Sequence, residues 1–175
     1  MIEIRLHGRG GQGAVTASEV LAIAAFHDGK YSQAFPRFGP ERGGAPVEAY
    51  CRIDDKFINL RTQVYNPTHL IVLDSTLFNV IDVTQGLEKN GIIIVNSNTK
   101  PKLDGYKVYN IDATKIALEI LGKPIVNTAM LGAFAKATGM IKLEGIFNAI
   151  KERFPEELAK KNISAIQRAY DELKV

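Results

Sequence analysis

The sequence is poor in three things, and each shortage closes a class of function. It has a single cysteine, Cys51. One thiol forms no disulfide within the chain and builds no iron–sulfur cluster or thiolate zinc site by itself. Within the apolar strand pattern Val47 to Ile53 it reads as a small core residue. No apolar run approaches the length of a membrane span, and no charged and apolar leader stands ahead of the first strand pattern. The expected location is therefore the cytoplasm, with no membrane role. Charge of one sign is also lacking. Lys and Arg number 22, Asp and Glu 19, for a net charge of +3. That argues against nucleic acid as a partner but leaves an anionic small ligand open. The lysines of the C-terminal third alternate with glutamates, as on a solvated helix face.

What is present is an ordinary globular chain of 175 residues, 46% of them hydrophobic. Residues 1–175 read as one domain with a proper core, without internal repeats. Ile2, Ile4 and Leu6 alternate as a strand. A helix is predicted from Gly13 to Phe26, stopped by Asp28-Gly29, and a second strand over Tyr31 to Phe35. Val47 to Ile53 alternates, Asp54-Asp55 turns, and Lys56 to Leu60 is expected to return as the second arm of a hairpin. The continuous apolar runs His69 to Leu73 and Gly91 to Val95 read as parallel strands covered on both faces. Between them, Ser75 or Thr76 is expected to cap a short helix to about Val80, with a further helical turn over Val83 to Glu88. Tyr106 to Ile111 is the last strand. Asp112 caps a helix over Ala113 to Leu121 that Gly122 ends. Three more helices follow, over Thr128 to Thr138, Leu143 to Phe154 and Glu156 to Leu173. The expected fold is α/β: a single three-layer, Rossmann-like domain with a mixed, mostly parallel sheet and a helical C-terminal portion.

The chemistry concentrates in Gly8-Arg9-Gly10-Gly11-Gln12-Gly13. This satisfies G-x-G-x-x-G after a strand and before a helix, the setting in which backbone N–H groups and a helix N-terminus hold a phosphate. Arg9 could add a charged contact. The alternative is a glycine turn needed only for close strand–helix packing. A dinucleotide site also wants an acid at the end of the second strand, to hold a ribose hydroxyl. Here that strand runs into Phe35-Pro36-Arg37, so only an NADP reading survives, with Arg37 on the 2′-phosphate. Pro36 to Pro46, PRFGPERGGAP, is neither helix nor central strand. It is a loop of special backbone angles carrying Arg37 and Arg42.

Three segments together resemble one family: GRGGQG near the N-terminus, FGPERGGAPVEAYCRI over residues 38–53, and NTAMLGAF at Asn127 to Phe134. The chain resembles the gamma subunit of the 2-oxoacid:ferredoxin oxidoreductases, over almost its whole length. The Gly39-Pro40-Glu41-Arg42 variant is similar to the pyruvate and ketoisovalerate type. Many pyruvate-type members carry a second arginine after Glu41-Arg42, where this chain has Gly43. The resemblance implies a complex, pyruvate synthase in type, that converts a 2-oxoacid, coenzyme A and oxidised ferredoxin into acyl-CoA, carbon dioxide and reduced ferredoxin. It implies alpha, beta and delta subunits as partners. Thiamine diphosphate lies between alpha and beta, and the iron–sulfur clusters lie on beta and delta. The gamma chain binds no cofactor alone and is inactive in isolation.

Residues and resemblance meet in one expectation. Gly8 to Gly13 with Arg37 and Arg42 help bind an anionic group at a subunit interface, coenzyme A being the candidate, with Asn127 and Thr128 lining the same cleft. Alternatives remain: a helix cap for Asn127 and Thr128, loops that serve only as assembly surfaces, and a self-contained NADP-binding oxidoreductase. His7 reads as a satisfied core or surface histidine, and Glu41 as an ion-pair partner or a general base. Asp74 reads as a cleft residue at a strand's carboxyl end, or as the start of the next turn. No metal site and no catalytic residue are expected on this chain.

Overall fold

The computed structural model describes residues 1–37 and 43–175. Phe38 to Arg42, and with them the expectations for Gly39, Pro40, Glu41 and Arg42, lie outside the described residues. The strands are β1 Ile2–Arg9, β2 Tyr31–Pro36, β3 Pro46–Asp54, β4 His69–Val72, β5 Ile92–Asn96 and β6 Lys107–Ile111. The helices are α1 Ala14–His27, α2 Ala113–Leu121, α3 Ala129–Thr138, α4 Leu143–Arg153 and α5 Glu156–Glu172. Among the described residues no helix is long and apolar enough to cross a membrane.

The strands form one sheet in the order β2-β3-β1-β4-β5-β6. β1, β4, β5 and β6 are parallel neighbours, and β3 runs antiparallel to both β1 and β2. The sheet is mixed and mostly parallel, as expected, but for a different reason. Lys56 to Leu60 forms no strand; the antiparallel partners of β3 are β1 and β2. Residues 56–64 instead cross the sheet, where Ile58 O accepts from Gln33 Nε2 at 3.0 Å and Gln63 O from Arg52 Nη2 at 3.1 Å. A short alternating run is ambiguous alone, and side chains on the sheet outcompeted a ladder for its carbonyls. At the free edge, Arg37 N–H donates back to Glu48 O at 3.0 Å, so Pro36 faces outward and offers no donor for further pairing.

The inner face carries every helix. Ile4, Leu6, Cys51, Ile71 and Ile94 join α1 to α5 in one apolar core. α1 lies between the sheet and α4, and α3 between the sheet and α5, which is why neither shows a clean polar stripe. The α3–α5 approach depends on Gly132, where a Cβ would stand 2.1 Å from Ile166 O. Helix ends fall where the sequence marks them: Asp112 accepts from Lys115 N–H at 2.9 Å, and Gly122 and Gly139 close their helices with φ of 70° and 63°.

Among the described residues the outer face has no helical layer. Across β4, β5 and β6 it is apolar, with Leu70, Val72, Ile93, Val95 and Val108 under Leu77, Val83 and Leu87. The cover is a 3-10 turn over Ser75–Asn79 and irregular chain, and Val83 to Glu88 forms turns rather than a helix. Asp74, not Ser75 or Thr76, caps that 3-10 turn. Across β1 and β3 the same face carries Glu3, Arg5, His7, Glu48, Tyr50 and Arg52, opposite one another in register. Arg5, His7 and Arg52 are buried there. Arg5 donates to Val83 O at 3.0 Å, Gln85 O at 2.6 Å and His7 Nε2 at 2.9 Å. Arg52 pairs with Glu3 at 2.7 Å and stacks over the Phe35 ring.

Candidate functional site

The glycine loop leaves the carboxyl end of β1 beside β4, where Leu73 N–H donates to His7 O at 2.8 Å. Gln12 folds the turn onto itself: its N–H donates to Arg9 O at 2.9 Å and its Oε1 accepts from Arg9 N–H at 2.8 Å. Gly11 has φ 95° and Gly13 φ 79°, both left-handed, which is where glycine is needed. Open space surrounds Gly11, whereas a Cβ on Gly13 would lie 2.5 Å from Asn127 Nδ2. Gly13 is therefore also a close-packing position.

Gly13 begins α1 without a side-chain cap, and no acid stands in the first turn. Among the described residues the amides of Ala14, Val15 and Thr16 have no hydrogen-bond acceptor. On a 14-residue helix, first-turn N–H groups that no described residue accepts form a positive pole. Beside it lies a cleft of about 530 Å³ at the carboxyl ends of β4, β5 and β6, lined by Gln12, Asp74, Asn96, Asp112, Thr114 and Val126 among others. Asn96 is fixed there, donating to Leu73 O at 3.0 Å and Thr114 Oγ1 at 2.9 Å.

The expected residues divide. Asn127 joins the loop: its Nδ2 donates to Gly13 O at 3.2 Å, and its buried Oδ1 has no partner. Thr128 does not cap α3; its hydroxyl donates to Asn162 Oδ1 at 2.6 Å inside the helical layer, tying α3 to α5. Arg9 turns to the outer face. It reaches Asp74 at 3.1 Å, Gly44 O at 3.1 Å and Thr76 Oγ1 at 2.9 Å. With Gly10 N–H to Ala45 O at 2.8 Å and Gly44 N–H to Gly10 O at 3.1 Å, it clamps the glycine loop to residues 44–45. Arg37 also lies on the outer side, paired with Glu48 at 3.1 Å.

Both readings of Asp74 hold, since it caps the turn and lines the cleft. Burial opposes its ionisation. Hydrogen bonds from Thr76 and Gln12 and the charge of Arg9 outweigh that and hold its carboxyl below the ordinary carboxylate range. His7 is buried but not satisfied, because its Nδ1 has no partner. Burial and the neighbouring Arg5 push its pKa down to about 4. Cys51 is fully buried, and burial pushes its thiol far up, so it is a core residue. Asn96 and Thr114 line the cleft with no motif in the sequence to mark them, and Asp112 lines it as well as capping α2. The available signal was position, since Asn96 ends an apolar parallel strand.

An α/β domain whose first strand runs through a glycine turn into its first helix, beside a polar cleft at the carboxyl ends of parallel strands, is the class this geometry defines. The model of the family described as pyruvate ferredoxin/flavodoxin oxidoreductase matches residues 3–172, and the chain belongs to that family. The pyruvate synthase subunit PorC of Methanothermobacter thermautotrophicus is 56% identical, over 99% of this chain and 96% of its own. The common gamma subunit of the pyruvate/ketoisovalerate oxidoreductases of Pyrococcus furiosus is 55% identical, over 100% and 98%. The crystal structure of a pyruvate oxidoreductase subunit from Thermotoga maritima superposes with TM-score 0.84 at 40% identity, covering 99% of this chain and 97% of its own. The fold also recurs, at 16% identity and TM-score 0.77, within a Magnetococcus marinus 2-oxoglutarate:ferredoxin oxidoreductase, of which the match covers 30%. This chain is a gamma-type subunit of a multi-subunit oxidoreductase complex, as the motif resemblance implied.

Proposed function

We propose that the complex oxidises pyruvate with coenzyme A, and that this chain supplies one wall of the coenzyme A site. The observation that carries this is the uncapped first turn of α1, where among the described residues the amides of Ala14, Val15 and Thr16 have no acceptor, following Gln12, which lines a polar cleft. A diphosphate suits such amides, and arginines suit a ribose phosphate. Support of another kind comes from the Magnetococcus enzyme, whose structure holds 2-oxoglutarate, coenzyme A and succinyl-CoA. The chemistry of oxidation is assigned to partners. Thiamine diphosphate sits between alpha and beta subunits, and iron–sulfur clusters on beta and delta pass electrons to ferredoxin, in the cytoplasm. One buried cysteine fits that division, because it leaves this chain without a thiolate set.

The test uses the assembled complex. Gly11→Val places a branched side chain at φ 95° in the open space of the loop, and Arg42→Ala removes a cation of the basic loop. Each is expected to raise the KM for coenzyme A by about tenfold. Unchanged coenzyme A affinity in intact complex overturns the proposal. One observation favours a purely structural loop: the Arg9 clamp is internal to the chain. Under that reading the same variants lower the yield of complex and leave the kinetic constants alone.

A further inference from the structure

His7 and Glu48 face each other across β1 and β3 at the end of the sheet that opens into the glycine loop. Arg5 Nε donates to His7 Nε2 at 2.9 Å. A guanidinium only donates, so Nε2 is the bare nitrogen and Nδ1 carries the proton. That Nδ1–H is buried without an acceptor, an unfavourable state for a donor. Glu48 Oε1 stands 3.9 Å away, short of a hydrogen bond. The gap is also too short for a bridging water, which needs about 4.5–5.5 Å between the two polar atoms.

Glu48 is held short of that contact by the two groups it already accepts from. Its Oε2 accepts from the buried-side hydroxyl of Tyr50 at 2.8 Å, while Oε1 accepts from Arg37 Nη1 at 3.1 Å. Arg37 is 55% exposed and Glu48 15%. An ion pair with one exposed partner contributes little, whereas a buried donor gains much from an acceptor. Arg37 and Tyr50 therefore fix the carboxylate about one ångström short of the His7 Nδ1–H, and losing Arg37 frees it to close that gap. The imidazole stays neutral because burial and Arg5 disfavour its charged form, so it offers Glu48 a hydrogen bond and no second charge.

We propose that Glu48 is a positioning residue that exchanges partners, holding Arg37 when the anion site is empty and taking the His7 Nδ1–H when Arg37 turns to an anionic ligand. The exchange rests on the coenzyme A reading above. It links the start of the basic loop to β1, which enters the glycine loop at Gly8 one residue after His7. An anion that draws Arg37 away thereby satisfies the one unpartnered nitrogen of His7, and the release of Arg37 is offset inside the sheet.

The test measures KM for coenzyme A against KM for the 2-oxoacid in the assembled complex. His7→Leu removes the waiting donor and is expected to raise the coenzyme A value about fivefold relative to the 2-oxoacid value. His7→Gln, which offers an amide N–H to Glu48 and a carbonyl to Arg5, is expected to restore it. In an Arg37→Gln background, His7→Leu is expected to add nothing. An undiminished effect in that background overturns the exchange, and so does a coenzyme A KM that Gly11→Val moves and His7→Leu does not. If His7→Leu fails to assemble, Glu48→Gln decides. It weakens the hold on Arg37 and is expected to lower the coenzyme A KM about twofold to threefold; an unchanged or raised value overturns the proposal. If Gly11→Val and Arg42→Ala also leave coenzyme A binding untouched, the coenzyme A reading falls, and the exchange falls with it.

Discussion

Across β4, β5 and β6 the outer face of the sheet presents Leu70, Val72, Ile93, Val95 and Val108 to an apolar cover. Across β1 and β3 the same face presents Glu3, Arg5, His7, Glu48, Tyr50 and Arg52 to carbonyls and to one another. Both halves exclude water, by opposite means. The apolar half is held by area removed from water and tolerates imprecision. The polar half is held only while each charge keeps its partner, because an unpaired buried charge is far costlier than a lost methylene. Its two orphaned nitrogens, His7 Nδ1 and Arg52 Nη1, show that it is not fully satisfied. The unsatisfied half is the one that borders the basic loop.

The contrast is broken most severely by stranding a charge. Glu3→Ala leaves Arg52, 1% exposed, without its carboxylate, and a loss of about 3–5 kcal/mol is expected from denaturant unfolding. The double change Glu3→Leu with Arg52→Met should recover much of that, since an apolar replacement of a buried pair is often neutral or better. In the apolar half, Ile93→Ala is expected to cost about 2–4 kcal/mol, with no partner change able to rescue it.

Acid sharpens the comparison further. His7 and His69 both have pKa values pushed down to about 4, by burial and, for His7, also by Arg5. A histidine with a depressed folded-state pKa takes up its proton more readily when unfolded. Its stabilisation is thus complete above about pH 6.5 and is lost as pH falls toward 4, on the order of 3 kcal/mol for each. Thermal unfolding across that window should show the decline. His69 lies on the helix side against Phe134, so His7→Leu should remove about half of the slope and His69→Leu the other half. The smallest effect is expected at the rim: Arg37→Gln should change stability by no more than about 1 kcal/mol, because Arg37 is more than half exposed.

Much of this was legible beforehand. The continuous runs HLIV and IIIV read as covered strands, and Asp112, Gly122 and Gly139 marked helix ends through local chemistry that tertiary contacts did not override. The run Lys56 to Leu60 is not legible as a crossing, because alternation over five residues fits a strand and an extended crossing equally. The glycine loop was legible as a turn before a helix, and Asn127 as its neighbour. Thr128 was not, since a threonine before a helix reads as a cap until Asn162, 34 residues on, takes its hydroxyl.

The sequence by itself determined the six strands and five helices of the described residues, the glycine turn ahead of the first helix, and the family, because these rest on short-range sterics, periodicity and motif spacing. Only the tertiary structure decided which polar residues are buried. Glu3, Arg5 and His7 alternate with Ile2, Ile4 and Leu6 as a solvent-facing set would. They become interior because chain from residues 56–64 and 83–85 folds across them. Burial is a property of what lies opposite, and no local pattern encodes that.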